Sequence, residues 1–343
     1  MARRVNRTPI LFLGVAILAT LIGLFSAKAF AESAVLTNAK DGLQISPVLV
    51  DMNADKGKSY NVSVKVTNVT TQDHTYYSIV NDFAAKDETG NPSVLFDSTL
   101  PPEISVRTWI STVPQVTVKS GDSVTLDVRI NVPQSAESGG HYGVLRFSSN
   151  APQAGGNGVA IAASTGMLFL IKVAGATTEQ ASLASFFSAN SPSDQQTSFF
   201  EKSPISFVTR IKNEGNVHLQ PTGQIQIHDM FGGLVSTIAV NDQKSNVLPN
   251  SIRHFDSTLD TSWLFGLYTA DLAVGYGTHG QAITDTISFW VIPYKIVIAA
   301  LLGISTLIFV LVQMIKVYNR RIIANAIQKN EQTDKKTSKK AKK

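Results

Sequence analysis

The chain contains no cysteine in 343 residues. That removes the thiol nucleophile, the thiolate metal site and the disulfide together, so an exported fold of this sequence must rest on burial and backbone pairing. Small secreted modules of eukaryotes are commonly stapled, and the absence therefore favours a bacterial surface protein. Catalytic signatures are missing as well. The six histidines (His74, His141, His218, His228, His254 and His279) include no two spaced four apart, and no His-Glu-x-x-His occurs, so a helical zinc site is not expected. There is no Gly-x-Ser-x-Gly elbow and no Ser-x-x-Lys, which disfavours serine hydrolysis. The glycine runs at 155–158 and 275–277 do not open a helix after a strand, so they read as turns and not as phosphate cradles. The EF-hand pattern is absent too. No cofactor and no metal is expected. A carboxylate pair for glycoside cleavage can assemble only in the fold, so a cell-wall hydrolase stays open as a minor reading.

What is present is concentrated at the two ends. Residues 10–25 are apolar, preceded by Arg3, Arg4 and Arg7 and followed by Ala29-Phe30-Ala31, the small-x-small pattern of an export leader. The spacing predicts a signal peptide over 1–31, cleaved after Ala31 so that Glu32 becomes the first mature residue. Residues 296–315 carry no charge over twenty positions, about 30 Å of helix at roughly 1.5 Å per residue, enough to cross the hydrocarbon core. Between these runs nothing comparable occurs.

Charge then sets the orientation. The tail, 316–343, has ten basic and two acidic residues, net +8, and the positive-inside rule keeps it cytoplasmic. Trp290 and Tyr294 precede the span and Tyr318 follows it, where amphipathic rings anchor at the membrane interface. The leader holds four more basic residues, which leaves 16 basic against 23 acidic in the exported part, net −7. The pI of 9.2 therefore describes the parts that meet the membrane, and nucleic-acid binding is not expected.

The exported stretch is dominated by alternation. Tyr60, Val62, Val64 and Val66 alternate with Asn61, Ser63, Lys65 and Thr67, and Val124 to Val132 repeats the pattern, so each predicts a strand with one face in a core and one in water. Turn signals recur at short intervals, as in Lys56-Gly57, Ser120-Gly121-Asp122 and Ser138-Gly139-Gly140. Residues 165–173 (TGMLFLIKV) form a short apolar run between glycines, read as a strand buried on both faces or at a domain seam. Ser-rich sequence follows. A second set of strands begins near Ile205, and the two sets share weak likenesses: a strand closing at Asn68 or Asn213, and Gly140-His141-Tyr142 or Gly266-Leu267-Tyr268 leading a later strand. Tyr142 and Tyr268 resemble the tyrosine corner of immunoglobulin-like sandwiches, whose hydroxyl returns to the backbone. The resulting expectation is an all-β protein of two tandem immunoglobulin-like β-sandwich domains at 32–175 and 203–292, a linker over 176–202, and one C-terminal transmembrane helix.

With these residues in view, the order of parts resembles the DUF916 or WxL-interacting family of bacterial surface proteins. The likeness rests on Ile45-Ser46-Pro47, Trp109-Ile110, the run from Val132-Pro133 through Gly139-Gly140-His141-Tyr142-Gly143, the run from Ile211-Lys212-Asn213 to Val217-His218, Pro221-Thr222-Gly223, and Asn246-Val247-Leu248-Pro249. The resemblance implies a first domain that binds peptidoglycan and a second that binds host matrix or a partner carrying WxL domains. No catalytic or ligand residue transfers with it, because the shared positions are turns, caps and strand starts. The expectation is thus a non-enzymatic, single-pass plasma-membrane protein that displays its domains outside the cell for adhesion to peptidoglycan or another surface protein. The alternative is a structural scaffold subunit of an envelope complex.

Overall fold

The computed structural model describes residues 42–149 and 164–340, and from Gly42 onward they belong to one compact unit. The expected leader over 1–31, with Ala29, Ala31 and Glu32, lies outside the described residues, as does the glycine run at 155–158.

The first half contributes β1 (Leu43–Ser46), β2 (Leu49–Ala54), β3 (Ser59–Asn68), β4 (His74–Ala85), β5 (Pro92–Leu95), β6 (Ile110–Ser111), β7 (Gln115–Val118), β8 (Ser123–Asn131), β9 (Gly139–Ser148) and β10 (Ser164–Val173). The second contributes β11 (Ala181–Ala189), β12 (Phe199–Phe200), β13 (Ile205–Asn213), β14 (Thr222–Asp229), β15 (Leu234–Val240), β16 (Ile252–Leu259), β17 (Gly266–Tyr276) and β18 (Gln281–Val291). One helix, α1 (Tyr294–Lys340), follows.

The same strand order occurs twice. In the first half β1-β3-β8-β6 faces β2-β10-β9-β4-β5, with β7 also on β4. In the second β11-β13-β16 faces β12-β18-β17-β14-β15. In each half the opening segment changes sheets: β1 pairs antiparallel with β3 and β2 runs parallel to β10, just as β11 pairs antiparallel with β13 and β12 runs parallel to β18. This is an all-β fold of immunoglobulin-like type with one C-terminal apolar helix.

The period-two pattern explains which side chains fill each pair of sheets. Val64 and Val66 of β3 and Val128 and Ile130 of β8 face Phe147, Phe169 and Ile171 of the opposing sheet, with Trp109 between them. Phe207 and Ile211 of β13 face Ile225, Leu272 and Phe289 in the second half. Each such large side chain contributes about 1.5–3 kcal/mol by leaving water, which is how the sequence holds together without disulfides.

Two stretches differ from the sequence-based expectation. The linker expected over 176–202 contains β11 and β12, and Phe186 and Phe200 lie in the second core. Its serines hid the strand: Ser188 is buried and donates its hydroxyl to Thr197 O at 2.7 Å, so polar composition there reflects satisfied bonds and not exposure. The second sheet pair therefore begins at Ala181, well before residue 203. The C-terminal helix also runs past 296–315 at both ends. Among the described residues its segment Tyr294–Ile327 is the one helix long and apolar enough to cross a membrane, compatible with single-pass anchoring.

Candidate functional site

Several motifs singled out in the sequence meet at a seam between the two sheet pairs. The turn after β13 presents Asn216, whose main-chain oxygen accepts from Gly140 N at 2.7 Å. Its side-chain oxygen accepts from Thr178 N at 2.7 Å, and its amide donates to Ala176 O at 3.0 Å and Ser138 O at 3.4 Å. One residue of the second half thus stitches the start of β9 to the crossover that follows β10. Gly139 is required beside it: φ is +132°, and an added Cβ would come within 2.9 Å of Asn216 O.

Two residues on, His218 is only 1% exposed. Its Nε2 lies 3.0 Å from Asp51 Oδ1 on β2, and its Nδ1 lies 3.3 Å from the Tyr142 hydroxyl on β9. A carboxylate can only accept, so Nε2 carries a proton and donates to Asp51. The hydrogen bond from His218 holds the Asp51 carboxyl below its usual range against partial burial, with the electrostatic attraction of His218 and then of Lys172 adding to it. Burial pushes the Tyr142 hydroxyl up.

A third junction is ionic. Arg210 on β13 grips Glu88 in bidentate fashion, Nε to Oε2 at 2.6 Å and Nη2 to Oε1, while Glu88 O accepts from His254 N at 2.8 Å. The bonds between the two side chains lower the Glu88 carboxyl and raise the Arg210 guanidinium. Beneath them Phe83, Val144 and Leu170 pack with Leu168, Tyr142 and Leu248. The TGMLFLIKV strand is largely apolar for this reason, since Phe169 and Ile171 enter the first core while Leu168 and Leu170 face the seam. A cleft of about 460 Å³ opens alongside, bordered by Asp55, Lys172, Glu179 and His279. Glu179 is already taken by Thr278, accepting from its N at 2.6 Å and its Oγ1 at 2.7 Å.

The two tyrosines play different parts. Tyr268 accepts from Phe265 N at 3.0 Å and faces Phe265 O at 3.3 Å, returning its hydroxyl to the backbone. Tyr142 does not, because its ring folds back over Gly140, where a Cβ would come within 2.0 Å of the hydroxyl, and it reaches His218 instead. Trp290, Tyr294 and Tyr318 are all exposed, on β18, at the first residue of α1 and within α1. Trp109 is sealed in the first core with Nε1 donating to Pro102 O at 2.7 Å; Trp263 is exposed.

Among the described residues, acidic side chains of the first and second halves are engaged by neighbours. Asp87 accepts from Thr89, Glu88 pairs with Arg210, and Asp256 lies 3.5 Å from His254. Among the described residues no three His, Asp or Glu side chains gather as a metal site would require. His141 turns both ring nitrogens to main-chain oxygens, of Ile104 and Glu137, at 2.9 Å each. Sequence reasoning missed Asn216, His218 and Asp51 as a unit because their partners are distant in the chain.

No protein-family model matches the chain, and no curated protein matches it. Among solved structures it is similar to the class 5 fimbriae chaperone CfaA, 13% identical with a TM-score of 0.35, over 71% of this chain and 98% of that one. It is similar also to the Pseudomonas aeruginosa CupB2 chaperone, 11% identical with a TM-score of 0.33, over 72% and 100%. The PapD-like domain 7 of human CEP192 is 9% identical with a TM-score of 0.28, over 44% and 97%.

Proposed function

We propose that this chain is a non-enzymatic, single-pass membrane protein of the DUF916 or WxL-interacting kind, which displays two tandem immunoglobulin-like domains outside the cell and binds peptidoglycan or another surface protein. The observation that carries the reading is the direct attachment of an apolar, exposed helix to the end of β18, with only Ile292 and Pro293 between. A body built on paired strands is thereby fixed to a span, and the basic tail sets its side by the positive-inside rule. Fixing a binder near the wall raises its effective concentration there.

The seam supports a display role over a catalytic one. Asp51, His218, Tyr142 and Asn216 engage one another and nearby main chain, which holds the two domains in a set relation instead of leaving acid, base and nucleophile free for substrate. Recognition then falls to loops and sheet edges, where strand addition supplies main-chain bonds and alternate side chains supply specificity.

The test uses the full chain in detergent or nanodiscs, incubated with purified wall sacculi, together with crosslinking in intact cells. Sedimentation with sacculi supports the glycan partner. One dominant crosslinked membrane partner without sedimentation supports the scaffold subunit of an envelope complex instead. Proteolysis of whole cells that spares residues 42–292 removes the surface reading altogether.

A further inference from the structure

The end of the second sheet pair from which α1 departs carries an apolar rim. β17 begins at Gly266 opposite Val291, the last residue of β18, and Asp229 at the end of β14 stands opposite Tyr268. The β14–β15 turn and the loop of residues 260–265 therefore lie at the same end as the start of the helix at Tyr294. They also touch each other, since a Cβ on Gly266 would come within 2.2 Å of Met230 Cε.

On these loops and the adjoining strand ends several large apolar side chains are exposed. Phe231 is 89% exposed and Trp263 68%, with Met230, Leu234, Phe265 and Trp290 also exposed. The turn is built to hold this posture. The Asp229 carboxylate accepts from Phe231 N at 2.8 Å and Gly233 N at 2.9 Å, and Gly232 takes φ +81°, where glycine is favoured. The second loop is pinned where the Tyr268 hydroxyl meets Phe265 N and O, so that Leu264 enters the core while its neighbours Trp263 and Phe265 face outward. Apolar side chains held outward by ordered turns are costly in water and need a counterpart.

We infer that this rim rests on the bilayer that receives α1, with Phe231, Trp263 and Phe265 entering the headgroup and acyl boundary around the helix. The inference depends on the membrane-span reading above. Continuity singles out lipid as the occupant: the rim lies at the end of the sheet from which the chain enters the apolar helix, and tryptophan and phenylalanine are the side chains that settle at an interface. The second sheet pair is then held against the membrane at several points and does not pivot on residues 292–293 alone.

The absence of native cysteine makes the test direct. Single cysteines at F231C, W263C, L307C and Q243C, each in the full chain reconstituted in phosphatidylcholine–phosphatidylglycerol vesicles, carry a nitroxide read by power saturation with oxygen and a water-soluble nickel chelate. Gln243 is exposed in the loop after β15, at the other end of the strands, and serves as the aqueous control. Labels at 231 and 263 are expected to show at least a threefold higher oxygen-to-nickel ratio than the label at 243, approaching that at 307. Ratios at 231 and 263 equal to that at 243, with 307 still shielded from nickel, overturn the rim contact and leave the span standing. Labels at 231 and 263 shielded from both reagents overturn it in favour of a protein partner. A nickel-accessible 307 overturns the span itself.

Discussion

Asn68 and Asn213 make the same bonds at the same place in the two sheet pairs. Each is the last residue of a central strand, β3 or β13, and is fully buried. Asn68 donates to Gln72 O at 2.7 Å and Val118 O at 3.0 Å and accepts from Thr70 N at 3.0 Å. Asn213 donates to Val217 O and Val247 O, both at 2.8 Å, and accepts from Gly215 N at 2.9 Å. Their main chains match too, bonding the turn before β8 in one case and before β16 in the other. Two halves with little sequence in common thus solve one problem, the termination of a central strand, with one side chain.

Asn68→Ala and Asn213→Ala should each lower stability by about 2–4 kcal/mol, because main-chain groups lose their partners inside the protein. Asn→Asp should cost nearly as much at neutral pH, since a carboxylate cannot supply the two donated bonds. Urea denaturation of the full chain in detergent measures both. An Asp variant as stable as the wild type would show that the donated bonds matter little.

Gly140→Ala should disturb the seam more than its size suggests. The new methyl meets the Tyr142 hydroxyl, which must move and release His218, at a cost of about 1–3 kcal/mol. A Tyr142→Phe background removes the oxygen at 2.0 Å but leaves the ring carbon that a Cβ would approach to 2.7 Å, so the added cost of Gly140→Ala should fall in part and not vanish. A double-mutant cycle by thermal unfolding checks the coupling, and strict additivity would separate the two residues.

Much of this architecture was legible in the sequence. β3 and β8 follow the alternation of Tyr60 to Val66 and of Val124 to Ile130, because one face meets the core and the other water. The nearly continuous apolar run of β10 pointed to a strand buried on both faces or at a domain seam, and Leu168 and Leu170 face that seam. What stayed hidden depends on pairs distant in the chain. His218 meets Asp51 across 167 positions and Tyr142 across 76, and nothing in the residues flanking a histidine tells which remote groups its ring will engage. The Gly-x-Tyr motif was visible in both halves, but its two outcomes were not: Tyr268 finds a main-chain partner upstream, while Tyr142 finds a side chain of the other sheet pair. β11 was lost to its serines, whose hydroxyls are satisfied internally.

Acid should weaken the seam through Asp51. Its carboxyl is held below the ordinary value of 3.8, chiefly by the hydrogen bond from His218, so the folded state binds this proton less readily than the unfolded chain. Stability from the pair is therefore fully present above the unfolded value and lost as pH falls from about 4 through the lower folded value. Asp51→Asn should be less stable than wild type at pH 7, with the gap closing below pH 4. Unfolding midpoints across pH 3–7 test this, and a constant gap would assign the effect to something other than the titration.

Arg210 and Glu88 should contribute less than their bidentate geometry suggests. Both side chains are about one-third exposed, 33% and 36%, so water screens them and the coupling should be about 0.5–1 kcal/mol. It should shrink further in 1 M salt, where the Debye length is about 3 Å. The bonds of Asn216 join an uncharged amide to main-chain groups, so salt has no ionic attraction there to screen. A double-mutant cycle on Arg210→Ala and Glu88→Ala at low and high salt, beside Asn216→Ala as the salt-insensitive comparison, distinguishes the two kinds of contact. If the ionic coupling persisted unchanged at 1 M salt while the Asn216→Ala penalty vanished, the division of labour along the seam would be reversed.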